Sequence, residues 1–496
     1  MMKIPKVFLA TVLSIIFINS RVHKNTRSAG PIERLWITTE ETSNFFEPWA
    51  DQVALLIRRD STKTLTARGF FIKNDAFKME WRFTHVQYDT NEKRISLLDS
   101  DSDTLICSLD AENEVLKGAV HLQDSIKNPL SFIPADKNLL SLCYPRLPDK
   151  NGQIVYKYHQ PEQFDDYLPT DSIFKFVKDT TAIYKLMERI IHEEFGRLES
   201  ILILKDRKLI LEEYFYGYHR TKLHRINSCT KSITSLLLGI ALDRHKVMDA
   251  NQSVFNFFPQ YNSLKTPEKE RIKLKHVLTM TAGFNEEEGS EEPGPDHFIQ
   301  YILDSPMVTN PGEKFRYSGK CTNLLGGMIY TLENRQADAF AKEILFDKLG
   351  ISEFNWDREN DVVPCDAGLE MFPRDMAKIG LLVFNNGNWN GEQIVPKEWI
   401  AVSTKPYVAE SEFFDYGYQW WYRSKRNKCW WDDPVHGGKT EHDMVLALGA
   451  GGQYIMVIRD LNLVIITTSS DYNHDGLAHQ KVPMVIEEIV PMFKML

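Results

Sequence analysis

The chain has 496 residues, is 43% hydrophobic and carries a net charge of -9, with a pI of about 5.9. That is enough length for roughly two to four domains and enough apolar residue for real cores. It argues against a nucleic-acid partner, because phosphate binding needs a basic face that this composition does not supply.

The first residues, MMKIPKVFLATVLSIIFINS, place Lys3 and Lys6 before an apolar run from Val7 to Ile18. A run of that length fits the core of a signal peptide and is short for a membrane span. Residues 1–30 are therefore read as an export signal, or as an uncleaved tether given Arg21, Lys24 and Arg27 just beyond. The expected location is periplasmic or extracellular. From 33 to 147 the texture is β. In FKMEWRFTHV, Met79, Trp81 and Phe83 alternate with Glu80, Arg82 and Thr84. EVLKGAVHLQD alternates similarly, and RISLLDSDSDTLICSLD reads as two strands around a polar turn. These strands predict a small antiparallel domain. Residues 148–180, rich in Pro, Asp and Gln, read as a linker.

From 181 onward the pattern changes. A helix is expected near Ala182 to Phe195, followed by a hairpin in SILILKDRKLILEEYF. Helical segments and loops alternate to about Asp415, and GGQYIMVIRDLNLVIITTS closes the chain with a second hairpin turning at 459–462. Hairpins at both ends with helices between them do not give a βαβ rhythm. The predicted class is α+β, an antiparallel sheet from both chain ends flanked by helices, after the small β domain.

Six cysteines (Cys107, Cys143, Cys229, Cys321, Cys365 and Cys429) are scattered with no CxxC pair. His436 and His442 bracket a Gly-rich stretch, but no HExxH or paired-Cys pattern appears, so neither metal nor cofactor is expected. The acidic cluster Glu286, Glu287, Glu288, Glu291 and Glu292 reads as a solvated loop rather than a glycosidase carboxylate pair.

The chemistry-bearing stretch is RINSCTKSITSLLLGIALD, 225–243. Ile233, Leu236, Leu237, Ile240 and Ala241 make one apolar helix face, and Leu238 and Leu242 extend it nearly all round, as in a buried helix. Ser228 stands at its start and Lys231 one turn inside. The plain reading is that Asn227 or Ser228 caps the helix while Lys231 reaches solvent. The sharper one is that i and i+3 share a face, so the amine meets the hydroxyl. Burial and the positive helix N-terminus both favour a neutral amine, which can take the serine proton and make a nucleophile without histidine. SxxK is expected about once or twice by chance in a chain this long, and Ser172–Lys175 (SIFK) is read as such a match. Two more stretches join Ser228. PGEKFRYSGKCTNLLGG places Tyr317 in a turn before an apolar helix, where it either packs or relays a proton. LGAGGQYIMVI places Gly451 and Gly452 at the head of a strand, as a bulge or as backbone that a substrate can approach. The N–H groups of Ser228 and Gln453 are candidates for an oxyanion hole.

These stretches, with LKHVLTMTAGF, FPRDMAKIGLLVFNNGNWNGEQIV and YGYQWW, lie in an order that resembles the serine β-lactamase, D-alanyl-D-alanine carboxypeptidase and esterase superfamily, nearest its class C-like β-lactamase-related hydrolases. The likeness runs from about Ser200 to the C-terminus. It implies Ser228 as acylated nucleophile, Lys231 as base, Tyr317 as second proton-transfer group, and Gln453 N–H beside Ser228 N–H on the oxyanion. Three positions depart from the pattern. Gly319 stands where Tyr-x-Asn has its asparagine, and Ala450-Gly451-Gly452 replaces Lys-Thr-Gly, so no cation greets a substrate carboxylate. Lys439–Thr440 offers an alternative but lacks the glycine. Cys229 beside the nucleophile is read as packing. The expected activity is hydrolysis of a small-molecule or peptide-like ester or amide through an acyl-serine. D-amino-acid peptides or β-lactams are the second enzyme reading. A sensor that binds or acylates without turnover is the reading of another class. A Ser-His-Asp hydrolase is disfavoured because no GxSxG occurs.

Overall fold

A computed structural model describes residues 34–147 apart from 39–51, 60–64, 74–75, 90–91, 93, 99–103, 111–114, 123–124 and 136–140, then 154–285, and 298–493 apart from 359–360, 426, 428–440 and 473–479. The leader, the acidic cluster, His436, Cys429 and Lys439–Thr440 lie outside the described residues. No helix among the described residues is long and apolar enough to cross a membrane.

The N-terminal region is one nine-stranded antiparallel sheet. Its strands are β1 (Arg34–Thr38), β2 (Gln52–Arg59), β3 (Leu65–Lys73), β4 (Ala76–Arg82), β5 (His85–Asp89), β6 (Arg94–Leu98), β7 (Thr104–Asp110), β8 (Val115–Leu122) and β9 (Ser125–Pro134), in the order β4-β3-β2-β1-β9-β8-β7-β6-β5. The polar turn expected in RISLLDSDSDTLICSLD does separate β6 from β7, which pair Leu98 with Thr104. FKMEWRFTHV is not one strand, since the ladder breaks at Phe83–Thr84 between β4 and β5. Leu35, Ala54, Leu56, Phe70 and Ile72 pack under Leu142, Cys143 and Tyr144, which close one part of this sheet. The sheet meets the following domain through an Arg68–Glu193 ion pair of 2.9 Å and the bond from Arg197 Nη2 to Leu142 O, 2.8 Å.

Residues 154–172 have little regular structure, yet they are tied to the domain beyond them. The Tyr158 hydroxyl donates to Ile210 O at 3.0 Å, and Thr170 makes a parallel bridge to Leu209. The SIFK match resolves as a short 3-10 turn capped by Ser172, with Lys175 paired to Asp171 at 2.6 Å. Helix α1 (Thr181–Ile191) is shorter than expected, because Glu193 adopts a positive φ that turns the chain out of the helix before Phe195, and Gly196, also at positive φ, continues the turn after it.

The second sheet has eight antiparallel strands. They are β10 (Leu198–Lys205), β11 (Lys208–Tyr214), β12 (Val408–Ala409), β13 (Asp415–Tyr416), β14 (Trp421–Arg423), β15 (Met444–Gly449), β16 (Gln453–Ile458) and β17 (Leu463–Ser469). Their order is β11-β10-β17-β16-β15-β14-β13-β12, so the two predicted hairpins pair with each other through β10 and β17. Both faces are covered. Leu202, Leu204, Ile455, Val457, Val464 and Ile466 join the core around α2 (Cys229–Arg244), α3 (Leu274–Leu278), α4 (Gly319–Glu333) and α5 (Pro373–Phe384). Ile201, Ile203, Met456, Ile458, Leu463 and Ile465 join the core against α1 and the C-terminal helical residues 481–493. Burial on both sides explains why these strands read as near-continuous apolar runs.

Candidate active site

Helix α2 is buried along nearly its whole length, from Cys229 to Leu242. Glycine at 239 lets it lie against Trp399, whose Cδ1 is 2.2 Å from where a Cβ would stand. Trp399 donates its indole N–H to Ser235 O at 2.8 Å. Ser232 and Thr234 donate to Gln419 O and Cys365 O, both at 2.7 Å, so these two polar side chains of the helix are tied down.

Ser228 occupies the N-cap position, but its side chain makes no capping hydrogen bond. Its Oγ instead accepts from Lys231 Nζ at 3.2 Å. Capping therefore does not consume the hydroxyl. Lys231 does not reach solvent either: it is 4% exposed, and its amine also donates to Asp366 O at 2.7 Å and lies 3.5 Å from Asp366 Oδ2. The Tyr317 ring centroid is 5.0 Å from the same Nζ. Tyr317 is half-exposed and packs against Trp421 (5.6 Å) and Tyr416 (6.4 Å), giving one wall of the site an aromatic face. Its place is set by Ser318, which caps α4 by accepting from Cys321 N at 3.0 Å.

The turn between β15 and β16 lies on the other side of Ser228. Asn227, in the left-handed region at φ 49°, donates its amide to Ala450 O at 2.8 Å. A non-glycine residue held there is strained, and strain of this kind persists only where the surroundings fix it. Cys229 Sγ donates to Gln453 O at 3.0 Å, and burial pushes its thiol pKa up, as suits a packing residue. Gly451 (φ 83°) and Gly452 (φ 97°) are required by the turn itself. A Cβ at 451 would stand 2.5 Å from Tyr472 Cε1, and one at 452 would stand 3.0 Å from Ser469 Cβ. The Gln453 side chain faces away, pairing with the Ser469 backbone, so only its main chain borders the site. The structure thus brings Ser228, Lys231 and Tyr317 together and sets the 450–453 turn beside them.

Sequence reasoning missed Asp366 and Asn323, took Asn227 only as a possible cap, and had Trp421 only within the stretch YGYQWW. Strand pairing explains Asp366. Residues His224–Arg225 pair with Glu370–Met371, and Ile226 N bonds Leu369 O at 2.9 Å, so the segments flanking Ser228 and Asp366 run side by side. Asn323 then holds the loop from α4, accepting from Cys365 N at 2.8 Å and donating to Asp366 Oδ1 at 3.1 Å. No local signal in PCDAG marks that contact. Among the described residues no cluster of His, Cys, Asp or Glu could hold a metal, and His442 instead bonds Asp460 at 2.5 Å.

The family model named Beta-lactamase matches residues 199–481, more than half of the chain. The chain belongs to the Beta-lactamase family. Serine-hydrolase chemistry in general follows from that membership. Two solved structures share the fold. A Bacillus anthracis protein assigned as a 6-aminohexanoate-dimer hydrolase superposes with a TM-score of 0.51 at 19% identity, over 67% of this chain and 87% of its own. A Bacteroides dorei protein assigned as a β-lactamase gives 0.50 at 16% identity, over 62% and 98%. No curated protein matches the sequence.

Proposed function

We propose that this protein is a serine hydrolase that cleaves an ester or amide through a covalent acyl-Ser228 intermediate. The observation that carries the reading is the Ser228 hydroxyl, free of capping, 3.2 Å from the buried Lys231 amine. In the acylation step Ser228 Oγ bonds to the substrate carbonyl carbon while its proton passes to Lys231 Nζ. The carbonyl oxygen takes the electron pair and is met by the Ser228 and Gln453 N–H groups. As the tetrahedral species collapses, the leaving group departs with a proton relayed through Tyr317. A water then attacks the acyl-serine carbonyl by the reverse relay, giving the acid and free Ser228.

Substrates that lack a carboxylate at the recognition end fit best, because Ala450-Gly451-Gly452 offers no side-chain cation. The aromatic wall of Tyr317, Trp421 and Tyr416 favours an apolar group beside the scissile bond. A small-molecule or peptide-like substrate and export through the N-terminal segment remain part of the proposal.

The test is labelling by a fluorophosphonate probe followed by turnover of p-nitrophenyl esters. Wild-type protein is expected to label stoichiometrically and to release p-nitrophenol in more than one equivalent, with Ser228→Ala doing neither. Labelling that persists in Ser228→Ala moves the nucleophile elsewhere. A single burst without turnover makes the protein an acylated sensor.

A further inference from the structure

The feature that sequence reading does not find is a carboxylate against the catalytic lysine. Asp366 Oδ2 is 3.5 Å from Lys231 Nζ, and Asp366 O accepts from the same amine at 2.7 Å. The carboxylate stands in space that position 319 would otherwise claim: a Cβ built on Gly319 would lie 2.8 Å from Asp366 Oδ2. Gly319 is the first residue of α4 and needs no unusual φ, so the backbone itself does not call for glycine. What excludes a side chain there is the Asp366 carboxylate. Asp366 in turn is not loose. Asn323 on α4 holds both Oδ1 and the adjoining Cys365 N–H, and the 369–371 strand fixes the chain beyond it. Its side chain is 26% exposed.

We propose that Asp366 is a positioning residue for Lys231, and that its carboxylate holds the amine against Ser228. This rests on the acyl-serine reading above. Its chemical basis is that Lys231 gains a positive charge as it takes the serine proton. A fixed anion beside Nζ stabilises the positive charge that Lys231 carries once the serine proton has moved to it. The carbonyl of the same residue supplies the second anchor, so the amine is held by two groups of one rigid loop.

The experiment measures kcat and KM for p-nitrophenyl acetate, together with fluorophosphonate labelling rate, in Asp366→Ala, Asp366→Asn, Gly319→Asp and the double variant Asp366→Ala/Gly319→Asp. Loss of the carboxylate is expected to lower kcat and labelling rate by about tenfold to a hundredfold, with KM within about threefold of wild type. Asp366→Asn keeps the shape and removes the charge, so it is expected to fall with Asp366→Ala while melting like wild type. Gly319→Asp alone crowds two carboxylates and is expected to lose activity. The same substitution in the Asp366→Ala background returns an anion to the vacated space and is expected to recover at least about a third of the lost activity on a logarithmic scale. A role in folding alone does not produce that reversal of sign. Asp366→Asn within about twofold of wild type in kcat overturns the proposal, as does a double variant no better than Asp366→Ala. Wild-type protein that fails to label at Ser228 overturns the hydrolase reading and this proposal together. Normal labelling with an indifferent Asp366 overturns this proposal only.

Discussion

Replacing Lys231 by methionine separates chemistry from stability, because the lysine is expected to matter greatly to the first and little to the second. Its amine makes all its observed polar contacts within the site, to Ser228 Oγ, Asp366 O and Asp366 Oδ2. Removing a general base costs roughly 10²–10⁴ in rate, or about 3–5 kcal/mol of transition-state free energy. Stability follows a different sum. Breaking a fully buried ion pair costs about 3–5 kcal/mol, since the surviving charge is left in low dielectric. Here the survivor is the Asp366 carboxylate, which is 26% exposed and keeps its bond from Asn323. Most of that penalty therefore disappears, and about 1–2 kcal/mol remains for the Asp366 carbonyl that loses its donor. Against it, the variant no longer buries a polar amine, and the methionine chain fills the same space beside the Tyr317 ring. The net change is expected to be within about 1.5 kcal/mol.

The assay pairs initial rates on p-nitrophenyl acetate with urea unfolding monitored by tryptophan fluorescence. The expected result for Lys231→Met is a rate at least about a hundredfold down with an unfolding midpoint close to wild type. A variant that keeps more than about a tenth of the activity removes Lys231 from the proposed base role. A variant that loses more than about 3 kcal/mol as well as activity makes the lysine a structural keystone, and refutes the relief of the Asp366 charge by solvent.

Three further outcomes test the frame around the site. Gly239→Ala drives a methyl into Trp399, 2.2 Å from its Cδ1, and Trp399 is 1% exposed with its indole bonded to Ser235; overpacking of about 2–3 kcal/mol, less about 1 kcal/mol gained in helix propensity, is expected to lower stability by roughly 1–2 kcal/mol in urea unfolding. His276 is held at a pKa of about 4, below its ordinary 6.5, by burial and then by Lys275 and Lys273, and its Nδ1 accepts from Lys273 N at 3.2 Å. The unfolded chain therefore binds this proton first, so the contribution is complete above pH 6.5 and fades as pH falls toward 4. Between pH 8 and 5 the half-buried ring is expected to cost about 1–2 kcal/mol, a slope that His276→Gln flattens in unfolding measured at each pH. Lys481 is fully buried against Asp471, itself 6% exposed, so Lys481→Met is expected to destabilise by about 3–5 kcal/mol and Lys481→Met/Asp471→Asn to recover much of it; a neutral single variant contradicts the burial of that pair.

What was legible in the sequence depended on whether the cause was local. Helix α2 announced itself because it is apolar on nearly every side, and its burial in the structure is the direct counterpart. The two hairpins were legible from paired apolar runs around Lys205–Lys208 and 459–462, and the strands through which they pair, β10 and β17, are buried on both faces. Tyr317 lies where its sequence neighbours suggested because the Ser318 cap is local. The break at Phe83–Thr84 was not legible, since alternation alone does not say where one strand ends and the next begins. The end of α1 was missed because a left-handed Glu193 is rare for a charged residue and nothing beside it signals the turn. Asp366 was the least accessible of all. It lies 135 residues from Lys231, and long-range contacts bring the two together: the pairing of 224–225 with 370–371 and the bond from Thr234 to Cys365 O.

That same pairing explains why the site is where it is. A serine and a lysine one turn apart occur by chance in most long chains, and SIFK shows what becomes of such a match: a capped turn with its lysine paired to a neighbouring aspartate. At Ser228 the outcome differs because three independent constraints leave the hydroxyl nothing else to do. Asn227 enters the helix in a left-handed conformation and spends its own amide on Ala450 O. Thr230 takes the Asn227 carbonyl at 2.6 Å. The buried helix leaves the lysine no route to water, so its amine turns to the Asp366 loop and to Ser228. Each constraint is a packing or hydrogen-bonding requirement of the fold, and together they leave a polar pair facing an aromatic wall. The reactive geometry is then a consequence of the scaffold and not of the two residues' spacing, and moving the motif onto an exposed helix is expected to yield an ordinary cap and a solvated lysine.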